Sequence, residues 1–357
     1  MGYVAVSGGQ EAIEESIRLL AMHRQKGAED VTVAAIRDKL SILVDQVMGE
    51  AGLYAPDYAA LAIKQSEGNV AEAVFLLRAY RSTLTRDFTT VALNGKSIRA
   101  IRRISAAFKD IPNGQLLGPT YDYTQRLLDF NLEQHDMADT SQPKSEEREP
   151  VESMPRVSDM LKAQNLIDTV EPDDTPPDDI TMHMLTFPAV RSARLQTLAR
   201  ADTGFISGLA YSSLRGYGAV HPTVGELRSG YLEVEIPYLY DEEETLCVGE
   251  ILLTEVEAFS EADDKTDGLK LAVGYGAVLG RNETKAISMA ILDRCLEKGG
   301  DAPTGDDEFV LTHGDSLEMS GFLSHLKLPH YVTFQSKLDS VRQTQKLAKE
   351  QNQKKEG

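Results

Sequence analysis

An α+β fold, with a helical N-terminal half followed by a mixed α/β C-terminal half, is what this sequence predicts, on three observations. Up to about residue 135 the apolar residues recur at helical spacing. Residues 136–181 hold six of the 14 prolines and 13 acids against 4 bases, a composition that buries too little apolar surface to order itself. Beyond them, short strand-like runs alternate with helical ones. The expected organisation is a helical domain over 1–135, an acidic linker or excursion over 136–181, a mixed domain with the candidate site loops over 182–347, and a frayed tail over 348–357.

In the first half, Ile13, Ile17, Leu20 and Ala21 mark a helix that ends before Gly27. Ile36, Leu40, Leu43, Val44 and Val47 mark a second after the cap residue Thr32, and Asn69 opens a third with Ala73, Val74, Leu76, Leu77 and Tyr80 on its apolar side. Two more helices are predicted on either side of the turn DIPNGQLLGPT, from about Ser97 to Phe108 and from about Thr120 to Asn131. In the second half, strands are predicted over Gly230–Pro237, Leu246–Thr254, Leu269–Leu279 and Glu308–Thr312. Helices are predicted near Arg191–Arg200, Glu283–Leu296 and Leu317–Leu326. The tail after Leu347, KEQNQKKEG, has no apolar anchor and is predicted to fray.

Composition excludes several functions. The net charge of −19 argues against general nucleic-acid binding, which depends on neutralising phosphates. Leu271–Gly280, the longest nearly uncharged apolar run, is about half the length of a bilayer-spanning helix. With two cysteines, Cys247 and Cys295, and no signal-peptide pattern, a reduced cytoplasmic protein is expected. The charge is unevenly spread, however. Residues 136–181 and 241–270 each carry −9, whereas 78–109 carry eight bases against the single acid Asp87. That basic stretch suits a polyphosphate or an acidic protein surface; a solvated helix face, or one paired with the chain's own acidic segments, is the alternative.

Chemistry concentrates in a few places. No GxxxxGK[ST] string exists, which excludes a P-loop. Gly274, Gly276 and Gly280 stand between a strand and a helix start, where they serve either phosphate approach or close packing. The stretch RGYGAVHPTVGELRSGY sets Arg215, His221, Glu226 and Arg228 among glycines, as an active-site loop would, or as an ordinary glycine-rich connection would. Glu255 and Glu257 share a strand face and Glu250 takes the other. His325 and His330 would stand about 140° apart on a continuous helix, but Pro329 forces a turn that can bring both imidazoles together. Two histidines alone do not complete a zinc site, and two unrelated histidines in a turn is the other reading.

KDIPNGQLLGPTYDYTQRLLDF, RGYGAVHPTVGELRSGY, GFLSHLKLPHYVTFQ and the N-terminal MGYVAVSGGQEAI closely resemble subunit I of the bacterial carbon-phosphorus lyase core complex. The resemblance implies a phosphonate-utilisation enzyme that, with partner subunits G, H and L, displaces adenine from ATP with an alkylphosphonate. The product would be a ribose 1-phosphonate 5-triphosphate. Alone, such a subunit would be a purine nucleoside triphosphate nucleosidase. It further implies a two-fold assembly with two copies of the chain, contact with subunit J, and a zinc shared with that partner through His325 and His330.

The resemblance assigns no catalytic residues, so those rest on chemistry. Displacement at an anomeric carbon needs a carboxylate beside an oxocarbenium-like state, an acid for the departing base, and cations for the phosphates. Glu226, His221, and Arg215 with Arg228 supply these types. A non-catalytic scaffold that contributes to the zinc site is the rival reading. An ordinary zinc hydrolase would need a third ligand, for which His313 is the one obvious candidate.

Overall fold

The structure, a computed structural model, describes residues 9–27, 30–133, 154–167, 175–218, 220–262 and 269–356. Its helices are α1 (Gly9–Arg24), α2 (Val33–Lys39), α3 (Ser41–Ala51), α4 (Pro56–Gln65), α5 (Val70–Arg81), α6 (Val157–Ala163), α7 (Arg191–Arg200), α8 (Thr203–Ser212), α9 (Glu283–Lys298), α10 (Asp307–His313), α11 (Ser316–His325) and α12 (Tyr331–Glu356). Its strands are β1 (Arg99–Ile104), β2 (Thr223–Tyr238), β3 (Asp241–Glu261) and β4 (Leu271–Leu279). The α+β class predicted from sequence is the one observed. The chain forms two compact units, Met1–Thr32 with Ser316–Gly357, and Val33–Asp315.

In the larger unit, α2 to α5 make a small helical cluster around Val44, Val47, Met48, Ala60, Ile63, Ala73, Val74 and Leu77. Asn69 caps α5 by accepting the Glu72 N–H at 3.1 Å, as the sequence predicts. The single helix expected over 36–47 is kinked, because Leu40 adopts φ −111° and ψ 35° between α2 and α3. The four strands form an antiparallel sheet in sequence order. One sheet face packs on α9, with Leu227, Val256 and Val278 against Ala286, Met289, Ala290 and Cys295. Gly274 and Gly276 permit that approach: a β-carbon at Gly276 would stand 2.2 Å from the Ala286 carbonyl oxygen, and one at Gly274 would stand 2.0 Å from that of Ala290. Of the two roles the glycine spacing allowed, close helix-on-strand packing is therefore present.

Several elements differ from expectation for identifiable reasons. Ser97–Phe108 is not a helix: its core is β1, whose Arg102 and Arg103 are buried by pairing with β2 and with acidic side chains. Ile98, Ile101 and Ile104 imitate a helical repeat there. Thr120–Asn131 forms turns before a 3₁₀ turn at Phe130–Glu133, with Tyr121, Leu127 and Leu128 exposed. A segment that short holds a helix only when one face is packed. Glu308–Thr312 is α10 rather than a strand, because Asp306 accepts the Phe309 N–H at 2.9 Å and opens a helix. The run from Arg215 to Tyr231 is not one loop: from Thr223 onward it is β2. Far from fraying after Leu347, α12 continues to Glu356 through residues of good helix propensity.

Most of the acidic stretch, 136–153 and 168–174, lies outside the described residues. What is described, 154–167 and 175–181, includes α6, whose Val157 and Leu161 pack with Ile111, Ile167 and Phe259 on the sheet face opposite α9.

Candidate functional site

The sheet face beneath α6 carries a buried ionic network. Register places Glu226 of β2 opposite Glu257 of β3, and Arg228 opposite Glu255 on one side and Arg103 of β1 on the other. Period-two alternation directs this set away from α9, whose neighbours on β2 and β3 are Leu227 and Val256. Glu226 is 2% exposed and Arg103 1%. Their ion pair spans 2.6 Å, and the second Glu226 oxygen accepts the Val157 N–H at 2.9 Å. Arg103 also donates to the Pro155 carbonyl at 2.8 Å and to that of Pro112. Arg228 pairs with Glu255. Arg156, just before α6, reaches Glu255 at 3.0 Å and Glu257 at 2.9 Å, and Ser158 donates to Glu257 at 3.0 Å.

Charge balances in this face, with three guanidiniums facing three carboxylates. Burial opposes the charge on Arg156, yet Glu255 and Glu257 hold its pKa above the ordinary arginine value. Tyr275 of β4 donates to Glu255 at 2.9 Å, and burial, then the Glu255 charge, push its phenol pKa well up, so it stays protonated. One atom is left over: Glu257 Oε2 is buried with no partner among the described residues. The network is polar enough for chemistry and neutralised enough to act as a core. Withdrawing these six charges from water is tolerable because nearly every oxygen and N–H is matched.

The four residues singled out by sequence therefore separate. Glu226 and Arg228 are buried on β2. His221 is exposed just before that strand, and Arg215 is exposed in the π-helical turn after α8, with its guanidinium 6.0 Å from the Tyr211 ring centroid. Glu250 takes the other face as expected and pairs with Arg99 at 2.8 Å. Sequence reasoning missed Arg103 and Arg156. Both sit in segments read for other reasons, one as helix and one as linker, and an arginine's partner across about 100 residues leaves no local mark.

In the smaller unit, His325 ends α11 and His330 stands just before α12, with ring centroids 5.3 Å apart. The Pro329 turn thus brings both imidazoles together. His330 Nδ1 contacts the Leu328 carbonyl oxygen at 2.6 Å and His325 Nδ1 contacts that of Phe322. A carbonyl only accepts, so each Nδ1 is the donor, which leaves Nε2 as the ring atom that could meet a metal. Backbone carbonyls orient metal-binding imidazoles in this way. Among the described residues no group of three or more His, Cys, Asp or Glu side chains could hold a metal ion. His313 belongs to α10 in the larger unit, with its Nδ1 2.7 Å from the Phe309 carbonyl oxygen. No helix among the described residues is long and apolar enough to cross a membrane.

The chain matches the bacterial phosphonate metabolism protein family PhnI over residues 2–348. It is 45% identical to the alpha-D-ribose 1-methylphosphonate 5-triphosphate synthase subunit PhnI of Escherichia coli, covering 98% of this chain and 99% of that one. The Rhizobium meliloti protein of the same name is 43% identical over 95% of this chain and 94% of its own. A putative C-P lyase subunit protein, HtxH, of Stutzerimonas stutzeri is 44% identical over 98% of this chain and 97% of its own.

Proposed function

Because the chain belongs to the PhnI family of bacterial phosphonate metabolism proteins, we propose that it is a subunit of a carbon-phosphorus lyase system that transfers a ribose triphosphate from adenine to an alkylphosphonate. The observation that carries this reading is similarity along almost the whole chain to proteins named as subunits of that synthase. Subunits G, H and L are the partners for this step, J is the neighbour in the two-fold assembly, and the chain alone hydrolyses the purine from nucleoside triphosphates.

The reaction needs positive charge at the anomeric carbon steadied, the departing base protonated, and two phosphate groups held. His221 and Arg215, both exposed, can meet substrate directly, as acid and as anion ligand. Glu226 and Arg228 reach it only if α6 lifts from the sheet, since Val157 and Met154 backbone atoms lie on them. That burial favours a second reading, in which this chain scaffolds the synthase and the reacting groups come from partners.

His325 and His330 fit half of a tetrahedral zinc site: backbone carbonyls hold each Nδ1, leaving two Nε2 atoms as ligands, and the remaining ligands would come from subunit J. Bound there, the metal would supply cross-linking between chains, so that its binding free energy favours the assembled state.

The deciding experiment incubates the purified chain with ATP, with and without methylphosphonate and the partner subunits, and identifies the ribosyl product. Intact adenine and a ribose 1-methylphosphonate 5-triphosphate are expected. Release of phosphate or pyrophosphate with adenine still attached overturns the assignment. Absence of base release by the chain alone, with full activity on reconstitution, selects the scaffold reading.

A further inference from the structure

Of the eight bases in the stretch 78–109, six are consumed by the protein itself. Arg78 pairs with Asp315 at 2.6 Å, Arg86 with Asp179 at 2.5 Å and Lys96 with Asp159 at 2.8 Å. Arg99 pairs with Glu250, Arg102 with Asp122 and Glu283, and Arg103 with Glu226. Arg81 is different: the only hydrogen bond of its side chain among the described residues is a long one, 3.4 Å, to the Ala51 carbonyl. Beside it stands Arg200, the last residue of α7, whose guanidinium makes no hydrogen bond or ion pair among the described residues. Its Nε is buried without a partner among the described residues.

The two side chains converge on Gly52, the left-handed residue (φ 65°) that closes α3. A β-carbon there would lie 3.4 Å from both Arg81 Nη1 and Arg200 Cδ. Arg78 adds a third charge, since its Nη2 donates to the Arg200 carbonyl at 2.9 Å and to that of Glu50 at 2.7 Å. Helix-end carbonyls and Asp315 account fully for Arg78, but they leave the other two guanidiniums without an ion pair among the described residues. Of the neighbouring carboxylates, Asp179 is engaged by Arg86 and Thr181; Glu50 Oε1 accepts from Thr203 and Gln46, and Glu50 Oε2 is buried without a partner among the described residues, reaching neither arginine. Burial, then the charges of Arg78 and Arg81, push Arg200 down to about 10; Arg81 is lowered too, by burial and by Arg78. Like charges half withdrawn from water are destabilising unless an anion completes them.

We propose that Arg81 and Arg200, beside Arg78 and over Gly52, bind a polyphosphate anion, namely the triphosphate of the nucleotide substrate. The naming of that anion as a nucleotide's triphosphate rests on the function proposed above; the anion site itself does not. Two unmatched guanidinium forks fit successive phosphoryl groups bidentately, whereas a single carboxylate satisfies only one fork.

The test measures binding of inorganic tripolyphosphate and of ATP to the full chain by calorimetry, for the native protein, Arg81→Gln, Arg200→Gln and Arg200→Lys. Saturable binding of both ligands is expected, weakened at least tenfold by either glutamine and only a few-fold by Arg200→Lys. Equal affinity in the glutamine variants, or no binding of either ligand to the native chain, overturns the proposal. Phenylglyoxal labelling of the native protein gives a readout independent of variant folding. Tripolyphosphate should shield Arg81 and Arg200 from modification, and unchanged labelling would count against the site. Because tripolyphosphate carries no ribose to transfer, its binding at these arginines would stand even if adenine were never displaced from ATP.

Discussion

Replacing Glu226 with glutamine separates a structural carboxylate from a catalytic one. The native carboxylate accepts two bonds, from Arg103 Nε at 2.6 Å and from the Val157 N–H at 2.9 Å. Glutamine offers one acceptor and one donor, so one of those contacts becomes donor against donor. The Arg103 charge, 1% exposed, is then left without its counter-ion. Breaking a buried pair on one side costs about 3–5 kcal/mol, because the surviving charge cannot return to water. Urea unfolding of the full chain should show that loss as a lower midpoint with unchanged slope. Replacing both partners, as Arg103→Met with Glu226→Leu, should recover most of it. A change below about 0.5 kcal/mol, the range of ordinary surface substitutions, combined with loss of base release, would refute the structural account and place Glu226 on substrate.

Three further outcomes are expected. Gly276→Ala sets a methyl 2.2 Å from the Ala286 carbonyl and should lower stability by about 1–3 kcal/mol in a thermal melt; an unchanged melt would mean α9 is free to shift. Burial pushes Lys285 down from the ordinary 10.5 to about 8 against the weaker opposing pull of Glu50, a penalty of about 3 kcal/mol on its charged form. Between pH 8 and 10.5 the unfolded chain holds a proton that the native one lacks, so stability should rise with pH across that window, and Lys285→Met should remove the rise. Parallel urea midpoints for the two proteins from pH 8 to 10 would count against it. His325→Ala with His330→Ala should abolish zinc in the assembled complex while leaving the fold intact, His330 being exposed and His325 only half-buried; full occupancy by metal analysis would exclude them as ligands.

The sequence signals that held were local ones. The Asn69 cap announces α5, the Pro329 turn brings His325 and His330 together, and strict alternation sets Glu255 and Glu257 on one face with Glu250 on the other. Signals failed where distant partners decide. Arg102 and Arg103 look like the polar side of a helix until the acids of β2 and α9 are known, since a buried arginine is tolerable only with a counter-ion already in place. Arg156 was hidden in a composition that reads as disorder, because charge and proline content register solvation on average and not the one contact that anchors a segment.

The same logic gives the basic stretch its meaning. Excess charge in a sequence window is a sum, and its function depends on which members remain after internal pairing. Six bases of 78–109 are taken by acids drawn from across the chain, two of them from the stretch 136–181. The chain's two strongly opposed charge segments thus partly neutralise each other, and the solvated-face reading loses most of its residues. What survives is the exposed Lys109 and the half-buried Arg81, and Arg81 becomes informative only through Arg200, which lies far outside the window and has no ion-paired carboxylate among the described residues. An arginine pair held together by folding, yet unmatched by the fold, implies a counter-charge brought by something else. A transferred triphosphate is the anion that the proposed reaction requires to be held.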